Sequence, residues 1–168
     1  MPCDYEELLL QLTSSCCPNH TLSPVSDAAP LHLQSWEHSH TTRYLFTPKL
    51  PLWTSRCHEY VCAFHVEELN FDTLAQCHTA ALEVGTARFN PTAKHSLTRI
   101  TALILCDTAQ ADALEALVRF KTRSGNPLSF SAKLDYRLVA VDRSCGEVVC
   151  NRRARKLRIP LQNHLSAY

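Results

Sequence analysis

The chain has 168 residues, 45% of them apolar and 20% charged, with a formal net charge of +1. These are the proportions of a globular domain large enough to bury a core, and they exclude a collagen-like, low-complexity or membrane-spanning composition. Only three glycines occur, and Gly85, Gly125 and Gly146 stand far apart. A phosphate loop or dinucleotide fingerprint needs clustered glycines, so both are disfavoured and no cofactor is predicted.

The opening stretch "MPCDYEELLLQL" lacks the basic start and the long apolar run of a secretion signal. No apolar run approaches the length of a membrane span. The nine cysteines are an odd number and are then expected to be reduced, in a cytoplasmic protein, with most of them serving as small core residues. Asp4 to Leu12 reads as a short helix, with Asp4 and Glu7 at capping-box spacing. Residues 13–42 are rich in Ser, Thr, His and Pro without an apolar period. They read as an irregular arm, with room for a short strand at "LHLQSW".

Elements alternate from residue 43 onward. "RYLFT" and "HEYVCAFHV" read as strands. Asn70 is a good N-cap for a helix from Phe71 to about Arg88, with Phe71, Leu74, Ala75, His78, Ala81 and Leu82 on one face. "LTRITALILC" is the most apolar strand and the natural centre of a sheet. Asp107 and Gln110 have capping-box spacing for a second helix reaching about Arg123, with Ala111, Leu114, Leu117 and Val118 inward. "PLSFSAKLDYRLVAVD" alternates, placing Leu128, Phe130, Ala132, Leu134, Tyr136 and Leu138 opposite Ser129, Ser131, Lys133, Asp135 and Arg137. A turn at "RSCG" reverses it into "EVVCN".

This order predicts an α/β fold: a mixed β-sheet of four to six strands with two main helices and a C-terminal β-hairpin. The polar alternate face keeps α+β as the alternative. The expected organisation is one domain over residues 1–168. Residues 1–42 form a helix and arm, 43–157 the sheet-and-helix core, and 158–168 a C-terminal tail.

Several groups invite a chemical reading. "RCHEYVCAFHVEELN" is dense in Cys, His and Glu. On a strand, however, Cys57 and His65 lie about 26 Å apart, too far to share an ion. His38 and His40, two residues apart on an extended chain, are the better metal pair, with His32 or His20 as a possible third ligand. His95, Asp135, Asp142 and Cys145 are candidates for acid–base or nucleophilic work, and a close cluster of His95, Asp135 and Asp142 would mark an enzyme. A nuclease of the restriction-enzyme kind needs an acidic-x-Lys triplet, and "EVVCN" carries no lysine. "NRRARKLRIP" concentrates Arg152, Arg153, Arg155, Lys156 and Arg158, while residues 1–42 hold acids and no Lys or Arg. That polarity suits either an anionic partner such as nucleic acid or two chain ends that lie together.

The stretches "HTTRYLFTPK", "HEYVCAFHVEE", "KHSLTRITALIL", "LDYRLVAVD" and "EVVCNRRARKL" cover about residues 40–157. Over them the chain resembles a bacterial family of uncharacterised proteins known only as a domain of unknown function. The resemblance implies no activity, but it directs attention to His40, Arg43, Lys94, His95, Asp135, Arg137 and Asp142. The function expected is a non-enzymatic cytoplasmic module binding a protein, a second copy of itself or another macromolecule. The surface expected to do so is Lys133, Asp135 and Arg137 together with Arg152, Arg153, Arg155 and Lys156. The alternatives are a metal-binding protein or enzyme using His38/His40 or His95, and a nucleic-acid binder using residues 152–158.

Overall fold

A computed structural model describes residues 5–16, 21–24, 31–44, 51–87, 96–121 and 133–167. A six-stranded mixed sheet runs in simple chain order: β1 (Thr21–Pro24), β2 (Leu31–Tyr44), β3 (Pro51–Leu69), β4 (Ser96–Ala109), β5 (Lys133–Asp142) and β6 (Glu147–Cys150). Strands β1 to β3 are antiparallel, β3 to β5 are parallel, and β6 returns antiparallel to β5. The expected α/β class and mixed sheet are what is found.

The helices α2 (Phe71–Thr86) and α3 (Ala111–Arg119) are the two parallel crossovers. The strands advance in one direction, so crossovers of one hand place both helices on one face. There Leu74, Cys77 and Ala81 of α2 and Ala113 and Leu117 of α3 meet Cys62, Phe64, Ile100, Ala102, Ile104, Tyr136 and Leu138. On the opposite face α1 (Tyr5–Cys16) and α4 (Arg155–Ser166) supply Leu8, Leu9, Leu12 and Leu161 against Ala63, Leu103, Leu105, Val139 and Val141. The sheet is therefore covered on both sides, which explains why the C-terminal half of β5 is buried at every position.

Several expectations change in detail. The arm over residues 13–42 is not irregular throughout: α1 continues to Cys16, and β1 and β2 form an antiparallel pair. The short strand expected at "LHLQSW" and the start of "RYLFT" prove to be the two ends of one 14-residue strand, β2, whose polar middle gains its order from pairing with β3 along nearly its whole length. Residues 155–166 are a helix and not a tail, since Leu161 is buried between α1 and the sheet. Pro160 lies inside α4, where a proline normally argues against a helix, and the run of cations before it hides the apolar face.

In α2 the Asn70 side chain accepts from Thr73 N at 3.0 Å and Thr73 Oγ1 accepts from Asn70 N at 2.9 Å, a complete capping box. The buried stripe of α2 is Leu74, Cys77, Ala81 and Gly85; Phe71 is 53% exposed and Ala75 is also outside. The Asp107–Gln110 box does not form. Asp107 belongs to β4 and accepts from Arg143 Nη1 at 2.7 Å, while Gln110 caps α3 without a side-chain bond. Helix α3 stops at Arg119 and leaves Val118 half exposed. The Asp4 cap, the "LFT" end of the first predicted strand and residues 127–132 lie outside the described residues.

A candidate anion-binding cleft

Charges appear on the α1/α4 face where the apolar covering ends, in the N-terminal halves of the parallel strands. Register lines up Glu37, Glu59, Arg99 and Asp135 across β2, β3, β4 and β5. Arg99 Nη1 donates to Glu59 Oε2 at 3.0 Å, and its Nε donates to Asp135 Oδ2 at 3.1 Å. Burial works against the Arg99 charge, but the two carboxylates outweigh it and raise its pKa above the ordinary arginine value. Two residues along β5, Arg137 lies 3.7 Å from Glu59 Oε1 and 3.5 Å from Asp135 Oδ2. The side chains of Glu59, Asp135 and Arg137 are only 15–17% exposed. From Glu59 through Arg99 to Asp135 the signs alternate across the strands, which lets this half-buried part of the row stand inside a sheet.

Asn151 sets the second wall. Strand β6 pairs with β5 only as far as Val139, and Asn151 continues the edge with its side chain. Its Oδ1 accepts from Leu138 N at 3.2 Å and from Ala154 N at 3.1 Å, and its Nδ2 donates to Tyr136 O at 3.3 Å. The same residue thus ends the sheet and starts the turn Arg152–Ala154 that leads into α4. Arg152, Arg153, Arg155 and Lys156 are thereby brought over the edge of β5. Arg153 Nε reaches 3.9 Å from Asp135 Oδ1.

These elements enclose a cleft of about 690 Å³ lined by Phe120, Lys121, Asp135, Arg137, Arg152, Arg153, Arg155 and Lys156. Among the described residues of the lining, six cations face one carboxylate. The first turn of α4 contains no acid, although a helix N-terminus favours anions and disfavours cations. Phe120 closes the far side, its ring centroid 4.6 Å from His78 and 5.5 Å from Tyr136. Open α/β sheets usually hold ligands at the carboxyl ends of their strands. This cleft lies at the amino half of β5, so its chemistry rests on its own side chains.

Of the residues singled out in the sequence, Asp135, Arg137, Arg152, Arg153, Arg155 and Lys156 are brought together. Lys133 shares the face of Asp135 but is exposed and stands outside the lining. Asp142 is on the other parity of β5, about 23 Å along the strand from Asp135. Its Oδ1 accepts from Ser144 N at 2.9 Å and from the Ser144 hydroxyl at 2.6 Å, which is turn chemistry. Asp135 and Asp142 therefore do not share a site. Cys145 is exposed in the Arg143–Gly146 turn, where Gly146 supplies the positive φ of 67°. His20, Lys94 and His95 lie outside the described residues, while His32, His38, His40 and Arg43 stand in β2, with His38 opposite His58 and His40 opposite Arg56 in register. Among the described residues no group of three or more His, Cys, Asp or Glu is placed to hold a metal. The dense stretch is strand from Arg56 to Leu69, with Asn70 capping α2: Cys62 joins the α2/α3 core, and His65 stacks on Tyr5 with centroids 4.1 Å apart.

Glu59, Arg99, Phe120 and Lys121 were not singled out from the sequence. One signal was present: Arg99 is a charge inside the most apolar strand, and such a residue requires partners on the neighbouring strands. Their identity depends on register, which the one-dimensional pattern does not contain.

Residues 25–163 match the model of a family described as a domain of unknown function, a wider span than the 40–157 that carries the resemblance. No curated protein and no solved structure matches the chain.

Proposed function

Because the chain belongs to the DUF8052 family, whose function is unknown, we propose from its site that it is a non-enzymatic cytoplasmic binding module that holds an anionic macromolecule in the cleft between β5 and α4. The observation that carries this reading is the convergence of Lys121, Arg137, Arg152, Arg153, Arg155 and Lys156 on one concavity in which Asp135 is the single carboxylate among the described residues. Like charges gathered so closely repel one another, and an anion relieves that repulsion. No helix among the described residues is long and apolar enough to cross a membrane.

The test is a salt titration of binding to a fluorescently labelled single-stranded oligonucleotide, used as a generic polyanion and followed by anisotropy. Affinity is expected to fall steeply with salt, in proportion to the phosphates neutralised. The Arg152→Gln/Arg155→Gln double variant removes two exposed cations without touching the core. It is expected to weaken binding about tenfold or more and to flatten the log–log salt slope by about 1.4. Binding without salt dependence, or unchanged binding by the double variant, overturns the proposal.

A further inference from the structure

Resting on that reading, we infer that the deepest position of the cleft, beside Arg137, takes a phosphate presented end-on as a terminal phosphomonoester or diphosphate, with the rim cations holding the remainder of the ligand. The floor and the rim of the cleft differ in kind. The rim residues Arg152, Arg153, Arg155 and Lys156 are exposed, whereas the Arg137 side chain is 15% exposed. Glu59 and Asp135 flank its guanidinium at 3.7 and 3.5 Å, beyond good hydrogen-bond length, and its buried Nε makes no hydrogen bond. The buried Nε is turned toward Asp135, so its neighbours orient the fork, and it is the terminal nitrogens of this cleft-lining guanidinium that serve an oxyanion.

The opposing charge is contained. Asp135, the only carboxylate of the lining among the described residues, is neutralised from behind by Arg99 at 3.1 Å, and its Oδ1 lies 3.9 Å from Arg153 at the rim. A carboxylate ligand would supply one negative charge to six cations. A terminal phosphate supplies nearly two and presents three equivalent acceptor oxygens, which match a guanidinium floor under a ring of cations. The form of the site agrees. A phosphodiester backbone running past is served by an open ridge, while a concavity of about 690 Å³ has the size of a site for one nucleotide-sized group. Phe120, its ring held by His78 and Tyr136, gives that group one apolar wall.

The shared chemistry can come from a free nucleotide or from the phosphorylated end of a strand, and the experiment separates them. Binding to the full chain is measured for two oligonucleotides of identical sequence, one 5′-phosphorylated and one 5′-hydroxyl, and for a nucleoside diphosphate and citrate. A nucleoside diphosphate or the phosphorylated strand is expected to bind at least about tenfold tighter than the hydroxyl strand and than citrate. The tighter of the two identifies the source. Arg137→Met is expected to erase this preference, weakening the phosphorylated strand or the nucleoside diphosphate by more than it weakens the hydroxyl strand, and Arg137→Lys to restore it only in part because the fork is lost. The ligand comparison on the unmodified protein stands even if the variants fold poorly. Equal binding of the two strands, with no nucleoside diphosphate binding, overturns the end-on phosphate and leaves the broader anionic reading intact. Absence of binding by every probe overturns both.

Discussion

Asn151 concentrates three tasks in one amide: it completes the edge of β5, caps the turn at Arg152–Ala154, and aims the cations of α4 across the sheet edge. The residue is 1% exposed. Replacing it with Ala leaves the Leu138 N–H without its side-chain acceptor, while the Ala154 N–H keeps the Asn151 carbonyl, a loss of roughly 1–3 kcal/mol. Asn151→Ala is therefore expected to lower the urea midpoint clearly and to weaken polyanion binding as well, because the turn that carries Arg152 and Arg153 loses its anchor. Asn151→Asp keeps the acceptor but sets a buried carboxylate oxygen against Tyr136 O in place of a donor, so it should recover only part of the stability. An alanine variant with unchanged stability would show that the edge is held by β6 alone.

Among the elements, α2 shows how closely helix and sheet approach. A Cβ added at Gly85 would stand 2.2 Å from Ile100 Cδ1 and 2.3 Å from Cγ1, and Ile100 is fully buried in the central strand. Helix propensity favours Ala over Gly by about 1 kcal/mol, but overpacking of this kind costs about 1–3 kcal/mol. Gly85→Ala is expected to be destabilising on its own, and Ile100→Val, which removes Cδ1, is expected to recover part of the loss in the double variant. Denaturation of the four corners of this cycle measures the coupling, and simple additivity would count against the contact. The same scale shows what could be read in advance. The Asn70 cap, the alternation of Leu134, Tyr136 and Leu138, and the apolar β4 are local patterns, and they survive in the fold. Strand β2 and helix α4 are not local. The first depends on 13 paired positions with β3, and the second places Leu161 among residues of α1 and the sheet despite Pro160. The cleft divides in the same way: Arg152 to Lys156 are visible as a run, whereas their meeting with Asp135, Arg137 and Lys121 is a matter of register and of where α3 ends.

For the molecule as a whole, the cysteines set an alkaline limit. Burial pushes the thiols of Cys62, Cys77 and Cys106 up to about 12, and burial also raises Cys16 to about 12 despite the opposing charge of Arg137. Below about pH 9 both folded and unfolded chains hold these protons, so the thiols contribute no pH dependence there. Above it the unfolded chain releases protons that the folded one retains. Stability must then fall as pH rises from 9 towards 12, at up to about 1.4 kcal/mol per pH unit for each thiol. On the acid side, burial lowers the pKa of His78 beneath its ordinary 6.5. The unfolded chain therefore takes up a proton first, and stability declines as pH drops below that value. Urea midpoints at pH 5, 8 and 10.5 should describe a plateau with losses on both flanks. A midpoint at pH 10.5 equal to that at pH 8 would contradict the burial of these thiols in the folded state.

The adjacency of α1 and α4 also fixes an order of events during synthesis. Each strand lies beside its predecessor, so the sheet can grow as the chain emerges, one neighbour at a time. Helix α1 precedes the sheet in the chain, yet it rests beside residues of β4, β5 and α4, including Leu103, Val139 and Leu161. Its apolar stripe of Leu8, Leu9 and Leu12 gains its full cover only once α4 has also been made. A helix translated ahead of the sheet is thus completed in its packing only after the sheet.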